Sequence, residues 1–165
     1  MPGYKVHMAG GLVTSGLLLL TGTALQSMSG LYVHYAAQYV PTLNDPLING
    51  VGTVLLSLFG ALFPDTDTDS KGQNIIYSIF ILIDIGLLYQ KSYKMAAYLG
   101  LFSMLPALGH HRGWTHSWLA MLLVGTPIFI IPIMVFGSHQ VIDFIPFYLS
   151  FTLGYLSHLV LDGLF

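Results

Sequence analysis

The run Ser117–Phe136, SWLAMLLVGTPIFIIPIMVF, contains no charged side chain over its whole length. An α-helix needs about 20 such residues to cross the hydrocarbon core of a bilayer. The rest of the chain has the same character, because 55% of its 165 residues are hydrophobic and only 7% are charged. Soluble domains have about 25% charged residues. We therefore predict an integral membrane protein.

Further apolar segments flank this run on both sides. Backbone polar groups in lipid are satisfied only in helices or closed barrels, and the chain has no period-2 alternation typical of barrel strands. The sequence predicts an all-α, multi-pass transmembrane helical bundle that forms a single integral membrane domain over residues 1–165. About six membrane segments are expected, of which the third and fourth are short: Met8–Gln26, Pro46–Phe63, Asn74–Tyr89, Tyr93–Leu108, Ser117–Phe136 and Val141–Phe165.

Polar clusters fall on one side of the membrane when six crossings are counted from the N-terminus. The connector 27–45, with His34, and the connector 137–140, with His139, fall on the opposite side. The clusters on the shared side are His7 at the start of the first segment, PDTDTD in the loop 64–73, GHHRGWTHS in the loop 108–117, and SHLVLD near the end of the last segment.

These clusters combine the side chains that bind divalent metals. Histidine nitrogens and aspartate oxygens are ligands of zinc and other first-row ions. His158 and Asp162 are spaced i, i+4, so they lie one turn apart on the same helix face. Two or three of the loop aspartates Asp65, Asp67 and Asp69 could bridge two ions. We predict a site for one or two divalent metal ions, zinc or manganese. The chain has no cysteine, which excludes thiolate ligands.

Other ionisable residues also have structural interpretations. A single histidine in a membrane helix often only forms a hydrogen bond with a neighbouring helix. Asp69 could cap the helix that follows, as Ser70 could. Asp84 has no evident partner in the sequence. Arg112 could clamp a phosphate through its planar set of donors, or could simply follow the tendency of cationic residues to lie on the cytoplasmic side.

In its polar motifs the chain resembles the YdjM-like family of membrane-bound metal-dependent hydrolases of prokaryotes. The similarity extends over nearly the whole chain, in the same order: KVHMAGG at 5–11, PDTD at 64–67, HRGWTHS at 111–117 and GYLSHLVLD at 154–162. Asp69 and His110 fall outside the family pattern. Similar proteins continue past the final aspartate into a turn containing Thr and Gly, so we expect this chain, which ends at Phe165, to be a compact or a truncated version. The resemblance implies a polar site made of His7, Asp65, Asp67, His111, Arg112, His116, His158 and Asp162.

The favoured interpretation is a membrane-embedded metal-dependent hydrolase acting on a phosphoester or lipid headgroup. Arg112 would hold the phosphoryl oxygens, and Asp67 or His116 would act as general base. One alternative is a metal or proton transporter, which should place its ionisable residues near mid-membrane in a duplicated fold. Another is a non-catalytic membrane protein with a closed structural metal site. The predicted metal ligands are His7, Asp65, Asp67, His111, His116, His158 and Asp162.

The net charge and the distribution of cationic residues indicate the class of binding partner and the orientation in the membrane. A net charge of −2 and the lack of a basic tail argue against nucleic acid, so membrane lipids are the expected partners. The oligomeric state stays open. The site side has Lys5, Lys71 and Arg112, whereas the other side has Lys91 and Lys94. This excess favours a protein of the inner (cytoplasmic) membrane whose site faces the cytoplasm.

Overall fold

The computed structural model describes residues 3–27, 46–108 and 113–163. Every regular element within these ranges is a helix, and the helices fall into six segments along the chain, which confirms the predicted all-α membrane bundle. The α-helices are α1 (Tyr4–Ser27), α2 (Gly52–Leu62), α3 (Lys71–Tyr89), α4 (Tyr93–Met104), α5 (Trp118–Val124), α6 (Pro127–Phe136) and α7 (Ile145–Leu161). A π-helical turn, Pro46–Val51, precedes α2, and a 3₁₀ turn, Ser138–Phe144, precedes α7.

Three of the described helices are long and apolar enough to cross a membrane: Tyr4–Ser27, Lys71–Tyr89 and Val141–Leu161. The third predicted segment is therefore longer than expected, since it begins at Lys71 rather than at Asn74. The position of its N-terminal cap explains the earlier start. The Ser70 hydroxyl accepts a hydrogen bond from the Gln73 backbone N–H at 3.0 Å, so Ser70 and not Asp69 opens the helix.

The apolar run Ser117–Phe136 is one segment in the sequence but two helices in the structure. Helix α5 ends at Val124, and α6 begins at Pro127. Proline has no backbone N–H and cannot continue the hydrogen-bond ladder of a preceding helix, whereas it is favoured in the first turn of a new one. The fifth segment is thus two short helices joined at Gly125 and Thr126.

Helices α1, α2 and α7 pack against one another at the centre of the bundle. A Cβ atom on Gly154 of α7 would overlap the Ser57 carbonyl of α2, and one on Gly60 would overlap the Phe151 carbonyl of α7. The two backbones are therefore in direct contact, as small residues allow in membrane helices. On α1, a Cβ atom on Gly11 would lie 3.1 Å from the Ser57 carbonyl oxygen, so α1 packs closely against the same surface.

We expect Gly154→Ala to lower the stability of the protein. The added methyl group would overlap the Ser57 backbone, so α2 and α7 would have to separate. Overpacking of this kind typically costs about 1–3 kcal/mol. Gly16→Ala is the matched control, because a Cβ atom there meets nothing within 4 Å. Thermal unfolding in detergent compares the two, and a Gly154→Ala protein as stable as the control would contradict the packing described here.

Candidate metal centre

Six of the eight sequence-predicted site residues lie in one cluster at one end of the helical bundle. His111 and Arg112 lie outside the described residues, as do His34 and His110, and the side chain of His139 is likewise not described. Asp69 and Asp84 are not members of the cluster. The cluster consists of His7, Asp65, Asp67, His116, His158 and Asp162.

Helix ends place these side chains. His7 is in the first turn of α1, and His158 is in the last turn of α7, with Asp162 as the residue that ends that helix. Asp65 and Asp67 belong to a 3₁₀ turn, Phe63–Asp67, that follows α2 directly. His116 closes a second 3₁₀ turn, Trp114–His116, just before α5. Four separate stretches of the chain therefore supply the cluster.

His158 lies at the middle of the cluster. Its Nε2 atom is 3.7 Å from Asp65 Oδ1 and 3.8 Å from Asp162 Oδ2. Its ring stacks on that of His7 with 3.7 Å between the ring centroids, and His7 Nε2 is 3.4 Å from Asp162 Oδ1. These separations exceed a hydrogen bond of about 2.7–3.2 Å. They match two ligands on one small cation, which lie about 3–4 Å apart when each is about 2 Å from the ion.

The tautomer of His158 follows from its hydrogen bond to the backbone. His158 Nδ1 lies 2.7 Å from the Ala61 carbonyl oxygen. A carbonyl oxygen only accepts, so Nδ1–H must donate, and in the neutral ring the lone pair is on Nε2. That buried Nε2 has no hydrogen bond within the described chain. It points instead at two carboxylate oxygens, an arrangement that is unfavourable until a cation lies between them.

A second chain of hydrogen bonds orients His116. The Thr115 hydroxyl donates to Asp67 Oδ2 at 2.6 Å, so its oxygen accepts from His116 Nδ1 at 3.1 Å. His116 then has its lone pair on Nε2, which is 3.8 Å from Asp162 Oδ2. The hydroxyl of the fully buried Tyr155 donates in turn to the Thr115 carbonyl. A histidine held by a carboxylate or carbonyl on its outer nitrogen is the usual arrangement around a protein-bound metal.

The donor set fits a divalent metal. Nitrogen and oxygen atoms of His7, Asp65 and His158 lie within 4.8 Å of one another, and so do those of His116, His158 and Asp162. Buried carboxylates and inward-facing imidazole lone pairs require a compensating positive charge, because an uncompensated buried charge is strongly unfavourable. The two sets share His158, whose one free lone pair binds a single ion, so a second ion close by would be held by the remaining histidines and by carboxylates, which can bridge two metals.

Asp65 forms the open edge of the cluster. Its side chain is 17% exposed, whereas the side chains of Asp67 and Asp162 are at most 2% exposed. Burial raises the pKa of the Asp65 carboxyl above its usual value, His7 opposes the rise, and the nearby Asp162 adds to it. A bound cation would favour the ionised form and reverse this effect. Solvent or substrate would reach the cluster from this side.

Three contributors to the cluster were missed by sequence reasoning: the Thr115 hydroxyl, the Tyr155 hydroxyl and the Ala61 carbonyl. Thr115 stands inside the HRGWTHS motif, and Tyr155 stands three residues before His158 on α7. That i, i+3 spacing was an available signal for Tyr155. The role of a backbone carbonyl such as that of Ala61 cannot be predicted from the sequence, because every residue has one.

Comparison with known proteins identifies the family of the chain. The family model described as YdjM inner membrane protein matches residues 5–165, which include every residue of the cluster. No curated protein and no solved structure matched the chain in the corresponding searches. Because the family match covers nearly the entire sequence, the chain belongs to the YdjM inner membrane protein family.

Proposed function

We propose that this protein is a metal-dependent hydrolase, embedded in the membrane, that acts on a phosphoester at the level of the lipid headgroups. The observation that supports this best is the orientation of His158. Its Nδ1–H is bound to the Ala61 carbonyl, and its buried Nε2 is directed at Asp65 and Asp162. Buried polar atoms usually have a hydrogen-bond partner, and the described chain supplies none for this Nε2, which leaves it for a metal ion.

The residues that would hold the ion are His7, Asp65, His116, His158 and Asp162. Zinc and manganese both accept this mixture of imidazole and carboxylate ligands. A bound divalent ion acidifies water towards neutral pH and polarises a phosphoryl oxygen, which is the chemistry that a hydrolase needs.

Asp67 and His116 act as a pair in this proposal. The side chain of Asp67 is fully buried, accepts a hydrogen bond from the Thr115 hydroxyl, and has its Oδ2 atom 3.6 Å from His116 Nδ1. This supports a positioning role for Asp67 rather than the role of general base that the sequence left open. Asp65 is better placed to exchange a proton with water or substrate, since among the cluster's carboxylates its side chain is the exposed one.

The position of the cluster favours hydrolysis over the two alternatives. A transporter should hold its ionisable residues near mid-membrane, whereas this cluster lies where α1 begins and α2 and α7 end. A purely structural metal site should be closed, whereas Asp65 leaves an open edge.

We also propose that the site faces the cytoplasm. Lys71 Nζ lies 5.8 Å from the centroid of the Tyr4 ring, so α3 and α1 both begin at the end that holds the cluster. Lys5 is at the same end, and the sequence adds Arg112 nearby. An excess of cationic residues in short loops is typical of the cytoplasmic side.

Metal content tests the cluster. We expect His158→Ala to lose its bound metal, with affinity lowered by about 10- to 100-fold, because it removes the ligand common to both sets. His34→Ala and Asp143→Asn are the controls, since His34 falls outside the family motifs and Asp143 is exposed and distant in sequence from the site. Elemental analysis of the purified proteins is the measurement. Equal metal content in all the variants would contradict the site.

Thr115→Val tests the positioning of His116. The change keeps the shape of the side chain but removes the donor to Asp67 and the acceptor for His116 Nδ1. We expect metal affinity to fall by about tenfold or more. Thr126→Val should have no effect, because the exposed Thr126 hydroxyl bonds only to the Leu123 carbonyl of its own turn. Unchanged metal affinity in Thr115→Val would mean that Asp67 and His116 do not depend on this bond.

Hydrolysis by variants at Arg112 tests the catalytic part of the proposal. With metal content matched, Arg112→Ala should turn over a phosphoester lipid about a hundredfold more slowly, the usual loss when one charge-stabilising donor is removed. Arg112→Lys should recover little of this rate, because a point charge cannot replace two parallel hydrogen bonds. Release of the headgroup from purified lipids in vesicles is the readout. Full activity of Arg112→Lys would exclude the clamp, and metal uptake into vesicles without any hydrolysis would favour the transporter.

A further inference from the structure

A cleft between α3 and α4 contains the one acidic side chain of α3, Asp84. The cleft has a volume of about 70 Å³. Asp84 is 13 positions after Lys71, hence about 20 Å from the start of the helix at 1.5 Å per residue. Asp84 therefore lies well away from the metal cluster and has no part in its chemistry. An ionisable residue at membrane depth is expected to have a functional partner.

Asp84 has no such partner in the part of the chain that the structure describes. Its Oδ1 atom is buried and accepts no hydrogen bond from any described residue. No histidine lines the cleft, so it lacks the mixed ligands of the metal cluster. Although Asp84 as a whole is only half-buried, this carboxylate oxygen is buried and unpaired, which is unfavourable and which a ligand with a positively charged donor would relieve.

The other polar groups in the cleft narrow the choice of ligand. The Tyr77 hydroxyl donates to the Ser103 carbonyl at 2.9 Å, and the Ser103 hydroxyl donates to the Gly100 carbonyl at 2.7 Å. Both protons are thus used within the protein, and only oxygen lone pairs remain to face a ligand. The polar side chains of the cleft can therefore only accept hydrogen bonds, so the cleft fits a ligand head that only donates them.

The remaining walls are apolar, and the cleft opens towards the lipid. Phe80 and Leu99 line it, and Ile81 at its margin is 59% exposed on the outer surface of α3. A Cβ atom on Gly100 would meet nothing within 4 Å, so this glycine leaves room for a ligand. This volume is far below the roughly 300 Å³ of small-molecule sites, so the cleft has room for a small ligand head, and an apolar chain attached to that head lies outside it, along the lipid-facing surface.

We propose that this cleft binds a primary ammonium group at the end of a single apolar chain. The ammonium donates to Asp84 in a charge-assisted hydrogen bond. The apolar chain extends past Ile81 into the bilayer. This binding is independent of the proposed hydrolysis.

Native mass spectrometry of the full chain in detergent micelles tests the proposal. The probes are dodecylamine, dodecanol and dodecanoic acid, which share a chain and differ in the head. We expect one saturable dodecylamine per protein, bound at least about tenfold more tightly than dodecanol, and no binding of dodecanoic acid.

Two variants test separately how the Asp84 carboxylate and the open space of the cleft contribute to binding. Asp84→Asn and Gly100→Leu should each weaken dodecylamine binding by about tenfold or more. Gly86→Leu is the matched control, because Gly86 lies on α3 with open space around it but does not line the cleft. Metal content, measured in parallel, should stay at the wild-type level in all of these proteins. The proposal is overturned if dodecylamine does not bind, if dodecanol binds equally well, or if Asp84→Asn binds the amine as tightly as wild type.

Discussion

The close contact between the backbones of α2 and α7 is the constraint on which the rest of the structure depends. Gly60 and Gly154 permit it, because a Cβ atom at either position would overlap the facing helix. Ala61 follows Gly60 directly, and His158 is one turn after Gly154. The contact therefore brings the Ala61 carbonyl within 2.7 Å of His158 Nδ1. Carbonyls in the last turn of a helix lack a partner of their own, so this bond satisfies the end of α2 and fixes the tautomer of the central histidine at the same time.

Much of the site follows from the sequence by simple geometry. Counting membrane crossings placed the four polar motifs on one side, and the i, i+4 spacing placed His158 and Asp162 on one helix face. The structure brings these residues within 3.8 Å of each other and places Asp65 beside them. Such proximity can be predicted from the sequence because lipid allows so few backbone arrangements.

Two kinds of feature could not be predicted from the sequence. One is a hydrogen bond from a side chain to a backbone carbonyl, and the other is the choice between two adjacent residues that could both cap a helix. The bond of Tyr155 to the Thr115 carbonyl is of the first kind. The start of α3 is of the second, since Asp69 and Ser70 are both good caps and only the loop conformation selects Ser70. The interruption of the fifth segment at Pro127 could have been predicted, because proline lacks the N–H that continues the ladder of a preceding helix, although Pro132 is accommodated inside α6.

The carboxylates of this chain have different roles because their neighbours differ, not because their own chemistry does. Asp65 and Asp162 face the Nε2 atom of a histidine whose other nitrogen is already bound, so their shared space suits an ion that accepts electron pairs. Asp84 shares its cleft with the hydroxyls of Tyr77 and Ser103, whose protons are already used within the protein, so the cleft suits a group that donates hydrogen bonds. In both places a backbone carbonyl accepts a hydrogen bond from the side chain next to the carboxylate. That side chain then has only lone pairs left to offer a ligand. With few charged residues available in lipid, the helix backbone thus determines which kind of cation each carboxylate is suited to bind.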